Sequence, residues 1–289
     1  MIILAERPFY SLQGEGVFTG VPSVFVRFFG CNFRCPSFGI PREEGLNRVH
    51  NPEVMDVIAD MDNNPGKYMT IDDFPLVHTG CDSYTASYPQ FKDWALEYTV
   101  DQLVEEIQSI LPRGEWGGCH LVITGGEPLI FQNNIVELLN HRFMQDCSAI
   151  TIETNGTQIL SKALGDRLFD WVPEYGFDAI NFSVSPKLSC SGYPLSKTIV
   201  PDAVLSYFDV GNINFKFVVG DEVDVDEVEQ ALKQYDKTGI DYNVYLMPVG
   251  GTIEGFSKTK RQVAELAMER GYRFSDRLHI ALWGNKWGA

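Results

Sequence analysis

An α/β fold built on a parallel sheet is the architecture this sequence predicts, and three observations carry it. Six short apolar runs recur along the 289-residue chain, and runs of this character suit strands covered on both faces. Amphipathic segments with recognisable start and stop residues lie between them. Strand alternating with helix indicates parallel pairing, in an open doubly wound sheet or in a barrel.

The first run is Ser23–Phe29, followed at once by Cys31 and Cys35 in "GCNFRC". Residues 36–98 then depart from the alternation. They are rich in Pro, Asp, Asn and aromatic residues, with a helical patch only near Pro52–Met61. They read as an insertion, at about 36–98, carried by one domain spanning 1–289. The alternation resumes at Thr99, where "TVDQLVEEIQSIL" offers Thr99 as N-cap and Gln102 as its capping-box partner, with the apolar residues on one face. The next strands are His120–Thr124, Ala149–Glu153, Ala179–Ser183, Asn214–Val219 and Asn243–Met247. A helix over 224–239 starts with acidic residues and stops at Gly239, and another over 257–271 stops at Gly271.

Composition narrows the function classes. Lys and Arg number 23 against 39 Asp and Glu, a net charge of −16. Such a chain lacks the clustered cations that a phosphate backbone requires, so no direct nucleic-acid binding is expected and a small-molecule substrate is. The start "MIILAERPFY" has no basic region or cleavage site, and no long apolar run follows, so the expected location is cytoplasmic, away from the membrane. The six cysteines are too sparse for a disulfide framework and read as thiols or metal ligands.

The chemistry concentrates in loops after strands. Cys31 and Cys35 form a CxxxC pair, and the position where a third cysteine would stand is Phe38. "TGGEP" (124–128), "IETNGT" (152–157) and "SVSPK" (183–187) each end a strand. Loops at the carboxyl ends of parallel strands converge on one cleft. Gly125 and Gly126 would let backbone approach a ligand closely, and Glu127 offers a carboxylate to an ammonium group. Taken alone, the CxxxC is either a damaged metal site, a pair of buried thiols, or a site completed from elsewhere.

The ordered set "SLQGEG" (11–16), "PSVFVRFFGCNFRC" (22–35), "CDSYT" (81–85), "TGGEP", "IETNGT", "SVSPKLS" (183–189), "FKFVV" (215–219) and "YLMPVGG" (245–251) resembles the radical S-adenosylmethionine superfamily. Within it, the 7-carboxy-7-deazaguanine synthase family is the match, over nearly the whole chain. The resemblance implies a partial (incomplete) TIM-type β/α barrel with a long insertion in the cluster-binding loop. It implies Cys81 as the missing ligand of a 4Fe–4S cluster on Cys31, Cys35 and Cys81, and Mg²⁺ at Ser83, where Ser stands for the more usual Thr. S-adenosylmethionine would be bound by Gly125, Gly126, Glu127, Ser185 and Lys187. The substrate would be 6-carboxy-5,6,7,8-tetrahydropterin, contracted to 7-carboxy-7-deazaguanine with loss of ammonia, a carbon–nitrogen lyase step of 7-deazapurine (queuosine-type) biosynthesis.

Substrate contacts are expected from Gln13, Glu15, Arg27, Thr124, Glu153 and His279. Carboxylates suit the donor-rich pyrimidine edge of a pterin, and Arg27 suits its carboxylate. His279 falls where the family has a closing strand, although Ile280 replaces the Lys common there. Cys119 and Cys147 begin strands and read as buried structural thiols, whereas Cys190, after "SPKLS", is a weak ligand candidate. An electron donor such as flavodoxin and a homodimer complete the expectation. Two rival readings are a glycyl-radical-enzyme activase and a structural zinc protein using the same three cysteines with His78.

Overall fold

The computed structural model describes residues 1–45, 48–284 and 286–288. Positions 46 and 47 of the expected insertion, and 285 and 289 of the tail, lie outside the described residues. One mixed sheet organises the chain: β1 (Ile2–Leu4), β2 (Phe9–Leu12), β3 (Pro22–Phe28), β4 (Leu96–Tyr98), β5 (His120–Gly125), β6 (Ile150–Thr154), β7 (Ile180–Val184), β8 (Asn212–Val219), β9 (Asn243–Pro248) and β10 (Arg273–Phe274). The run β3-β5-β6-β7-β8-β9-β10 is parallel throughout. Both β1 and β2 lie antiparallel on β3, and β4 lies antiparallel on β1. The two ends of this order, β4 and β10, do not pair, so the sheet is a partial TIM-type barrel that does not close.

The six expected strands are all present, but the expectation that they are apolar on both faces is corrected. Side chains alternate across a strand. Leu121, Ile123, Ile150, Ile152, Ile180, Phe182, Phe215, Phe217 and Leu246 face outward into the main apolar core beneath the helices. On the other face Thr124, Thr151, Glu153, Asn181, Ser183, Asn214 and Lys216 are polar and mostly buried, beside apolar Phe25 and Val122. A sheet with one oily and one polar covered face has a filled outer layer and a concave, solvated interior.

The expected helices are present, the last two with earlier starts. Helix Val100–Ile110 carries the reciprocal Thr99–Gln102 capping box, an arrangement whose loss costs about 0.5–2 kcal/mol. Helix Glu222–Tyr235 begins after Asp221, which caps it, and helix Ile253–Arg270 begins after Thr252 and ends at left-handed Gly271. The segment expected as a closing strand is instead helix Leu278–Trp283. Strand pairing stops after Phe274, and a short apolar run such as "LHIALW" does not by itself choose between strand and helix.

Within the insertion, helix Pro52–Asn63 is N-capped by Asn51. Its buried face joins Phe74, Val77, Tyr84, Tyr88 and Phe91 in a second, smaller apolar cluster. The tail docks there: the Trp287 indole donates to the Phe74 carbonyl at 3.0 Å and meets the Tyr84 ring edge-on. The chain has rejoined the sheet by Leu96, because Leu96–Tyr98 is the edge strand β4.

Candidate active site

Strand direction decides what meets at the open end of the barrel. The loops leaving β3, β5, β6, β7 and β9, together with the segment after β10, surround one cavity. Its wall includes Gln13, Glu15, Arg27, Ser83, Thr124, Gly125, Gly126, Glu153, Ser185, Lys187 and His279, with Cys31, Cys35 and Cys81 at one side. Every expected site residue except Glu127 therefore lines it.

The cysteine trio is assembled from two limbs of the chain. After Cys35 the backbone turns sharply, with Cys35 itself at φ 46°. A non-glycine residue held there is strained by roughly 1–2 kcal/mol, and such strain collects at functional sites. Forty-five residues (36–80) separate Cys35 from Cys81, yet the Gly80 amide donates to the Phe38 carbonyl at 2.7 Å. Burial pushes the Cys31 thiol up to about 12 and the Cys35 and Cys81 thiols above their ordinary value, while Lys187 pulls all three down. Free thiolates would be costly here. Bound to cationic iron, a thiol is deprotonated outright, so this buried, mutually interacting donor set fits an iron–sulfur cluster. Among the described residues no three His, Cys, Asp or Glu stand close enough to ligate a single metal ion. A cubane spreads its thiolates over different irons, whereas zinc would gather them on one. His78, the fourth ligand of the zinc reading, faces a neighbouring cavity and contacts the Thr252 hydroxyl at 3.1 Å.

The Gly-Gly-Glu loop departs from expectation in an informative way. A Cβ on Gly125, at φ +153°, would lie 2.4 Å from the Phe28 carbonyl oxygen, and one on Gly126 would lie 2.4 Å from the Gly30 carbonyl oxygen and 2.7 Å from the Cys31 Cβ. What these glycines admit is the cysteine-bearing loop itself. Glu127 is fully buried, away from the cavity. Its carboxylate accepts from the amides of Leu129 (3.0 Å) and Asn155 (2.6 Å) and from the Thr154 hydroxyl (2.8 Å). Burial raises its carboxyl despite these donors. Glu127 is thus a clamp between the ends of β5 and β6, its three donors all drawn from the chain itself. Asn155 continues the clamp, its amide donating to Asn32 in the cysteine loop at 2.7 Å.

The polar interior holds a chain of buried and half-buried ions, whose cations sequence reading missed. Lys216, in mid-β8, pairs with Glu15 at 2.5 Å and approaches Glu153 at 3.8 Å. Arg277 donates to Glu15 at 2.8 Å and to the Gly250 carbonyl at 2.6 Å, and pairs with Asp82. Burial disfavours the Glu15 carboxylate, but Lys216 and Arg277 outweigh it and hold the group below its ordinary range. His279 stands 4.0 Å from Glu15, and burial, aided by Arg277, lowers its pKa toward the neutral imidazole. Arg27 pairs with buried Glu6 at 2.6 Å and donates to the Ser83 hydroxyl at 3.3 Å. That hydroxyl also donates to Asp82 at 3.4 Å, which leaves one lone pair for a hard cation such as Mg²⁺.

Glu153 has a different setting. It accepts from Thr124 at 2.9 Å and from the Gln13 amide at 3.2 Å. Lys187 donates to Ser185 at 3.1 Å on the cysteine side. A lysine inside "FKFVV" was a visible signal, since a buried cation requires a partner. No comparable signal singled out Glu6, Asp82 or Arg277. The other cysteines lie elsewhere. Cys119 is buried near the Tyr10 hydroxyl at 3.8 Å, Cys147 donates to the Ala149 carbonyl at 3.2 Å, and Cys190 lines the neighbouring cavity.

No family model matches the chain. Whole-sequence similarity is more informative. The 7-carboxy-7-deazaguanine synthase of Halobacterium salinarum is 31% identical over 297 residues, covering 96% of this chain and 89% of the relative. That of Pyrobaculum aerophilum is 30% identical over 283 residues, covering 97% and 94%. Among solved structures, QueE from Escherichia coli superposes with a TM-score of 0.56 at 21% identity, over 96% of this chain and 94% of that one, a likeness of fold.

Proposed function

The chain belongs to the 7-carboxy-7-deazaguanine synthase family, and on that premise we propose that its cavity contracts 6-carboxy-5,6,7,8-tetrahydropterin to 7-carboxy-7-deazaguanine with release of ammonia. Neither the activase nor the zinc-protein reading is favoured, because the relatives are named for this synthase. The observation that carries the reading is the convergence of Cys31, Cys35 and Cys81 on the wall of a polar-lined barrel interior. When bound, the 4Fe–4S cluster and S-adenosylmethionine supply the one-electron chemistry that removes a hydrogen atom from the substrate. Cys31, Cys35 and Cys81 would hold the cluster, and Ser83 would give an oxygen to Mg²⁺.

The remaining roles belong to the chain's own side chains. Lys187 and Ser185, beside the cysteines, suit the carboxylate and hydroxyls of S-adenosylmethionine, with Gly125 and Gly126 backbone groups completing that wall. Glu153 suits the amino and ring N–H donors of the pterin, and Thr124 and Gln13 keep its carboxylate oriented. Arg27, with one guanidinium edge on Glu6, presents the remainder to the substrate carboxylate. Glu15 and His279 line the wall beside the tail. Beyond the site, the same reading includes an electron donor such as flavodoxin, a homodimer, a cytoplasmic location and no direct nucleic-acid contact. No described helix is long and apolar enough to cross a membrane.

Anaerobic reconstitution followed by turnover tests the function. Wild-type protein with reductant, S-adenosylmethionine, Mg²⁺ and the carboxypterin should show iron–sulfur absorbance and form a deazaguanine detected by mass, and Cys81→Ala should lose both. A colourless wild-type protein holding one zinc, or a cluster-loaded protein that forms no product, would overturn the reading.

A further inference from the structure

We propose that the first turn of the insertion helix sets the position of the third cysteine, with Asn51 as the positioning residue. The inference rests on the reading of Cys31, Cys35 and Cys81 as cluster ligands and adds what the insertion does for them. In a compact three-cysteine loop, short local chain would dictate where the last thiol stands. Here 45 residues intervene, so the restraint must come from contacts between the outgoing and returning limbs.

Those contacts converge on two positions of the helix start, Asn51 and Glu53. Asn51 is fully buried. Its side-chain oxygen accepts from the Val54 amide at 3.1 Å, which caps the helix. Its amide nitrogen donates to the Pro36 carbonyl and to the Thr79 hydroxyl, each at 3.0 Å. Pro36 follows Cys35, and Thr79 lies two residues before Cys81. A cap alone does not require that nitrogen, since Ser and Asp cap as well as Asn; both of its donors are spent bridging the limbs. Glu53, in the same turn, accepts from the His78 amide at 2.7 Å and the Thr79 hydroxyl at 2.6 Å. Gly80 is packed so closely on Asn51 that a Cβ would lie 2.6 Å from the amide nitrogen. The helix is therefore a splint across the neck, and the neck places Cys81.

The test uses Asn51→Ser, which keeps an N-cap oxygen but cannot reach Pro36 and Thr79. Two readouts are needed. Iron–sulfur content and the electron paramagnetic resonance signal of the reduced cluster, with and without S-adenosylmethionine, report the assembled site. In metal-free protein, the rate at which a short bismaleimide bridges Cys81 to Cys31 or Cys35, mapped by mass spectrometry, reports thiol placement without any cluster. The expected result is a far-UV spectrum like wild type, bridging slowed at least tenfold, and cluster content lowered at least twofold with an altered signal. Wild-type bridging and signal in the variant would overturn the proposal, as would wild-type protein that cannot be bridged. If Asn51→Ser does not fold, Thr79→Val decides. It leaves the cap intact and removes the hydroxyl that meets both Asn51 and Glu53, so slowed bridging supports the proposal and an unchanged rate overturns it. Wild-type protein that bridges normally but assembles no cluster refutes the cluster reading and leaves the positioning result standing.

Discussion

Gly80 donates its amide to the carbonyl of Phe38 at 2.7 Å, and this one bond joins the place where a third cysteine would ordinarily stand to the residue before the cysteine that replaces it. The 45-residue excursion leaves and re-enters through this neck. Lengthening a closed loop from two residues to about 45 costs roughly 3 kcal/mol of closure entropy, at about 0.6 kcal/mol per doubling. The neck bonds and the insertion's own apolar cluster offset that cost before any iron is bound.

Gly80→Ala tests the neck from the other side. The residue sits at φ +82° against Asn51, and a non-glycine residue there costs roughly 1–2 kcal/mol before any overlap is relieved. The expected outcome is a lower thermal midpoint together with lower iron occupancy after reconstitution. Wild-type values for both would show that the neck does not restrain the site.

Lys216→Met leaves Glu15 buried with Arg277 as its remaining strong partner. Removing one member of a buried ion pair costs about 3–5 kcal/mol, and the surviving Arg277 contact should hold the loss near the lower figure. Urea unfolding of the metal-free protein measures it. A loss below 1 kcal/mol would mean that the pair is far more solvated than its burial indicates.

Acid dependence follows from Glu15. Its folded pKa is depressed, so its stabilising contribution is complete above the unfolded carboxylate value of about 4.3 and is lost as pH falls through the lower folded value. The difference in unfolding free energy between wild type and Glu15→Gln should therefore be largest near neutrality and shrink below about pH 4.3. A gap that widens on acidification would contradict the sign.

Glu153→Ala removes the carboxylate that Thr124 and Gln13 orient toward the cavity. Losing hydrogen bonds to a charged group worth about 1.5–3 kcal/mol should lower kcat/KM for the pterin roughly 10- to 100-fold, with cluster absorbance retained. An unaltered kcat/KM would remove Glu153 from the substrate wall.

Glu127→Gln separates a clamp from a ligand contact. Three donors converge on this buried carboxylate, and an amide cannot accept from all of them as well as a carboxylate does. Thermal stability should fall, by about 1–3 kcal/mol in unfolding free energy, while the KM for S-adenosylmethionine changes little in protein that stays folded. A stable variant with a sharply raised KM would return Glu127 to the ligand.

Much of this protein is legible in its sequence because the relevant physics is local. Strand runs, the Thr99–Gln102 capping box and the left-handed stop at Gly271 depend on neighbours within a few residues, so spacing and residue type suffice to find them. Loop placement at the carboxyl ends of parallel strands follows from chain direction alone, which is why "GCNFRC", "TGGEP" and "SVSPK" could be assigned to one cleft. Cys81 was reached through the ordered motifs of a family, since no local rule links it to Cys35.

Tertiary structure decided what depends on distant partners. The clamp that Glu127 makes depends on Thr154 and Asn155, 27 and 28 residues away. The pairing of Glu15 with Arg277 spans 262 residues, and no periodicity encodes it. The polar lining of the barrel was written in the alternation of "NINFKFVV", but its meaning required knowing which face the helices cover. The sequence by itself determined the parallel α/β scaffold and the residue types at its mouth. Folding alone determined which charges neutralise one another inside and how Asn51 and Gly80 bring Cys81 back to Cys35, because burial and pairing arise only when the sheet has curved around its interior.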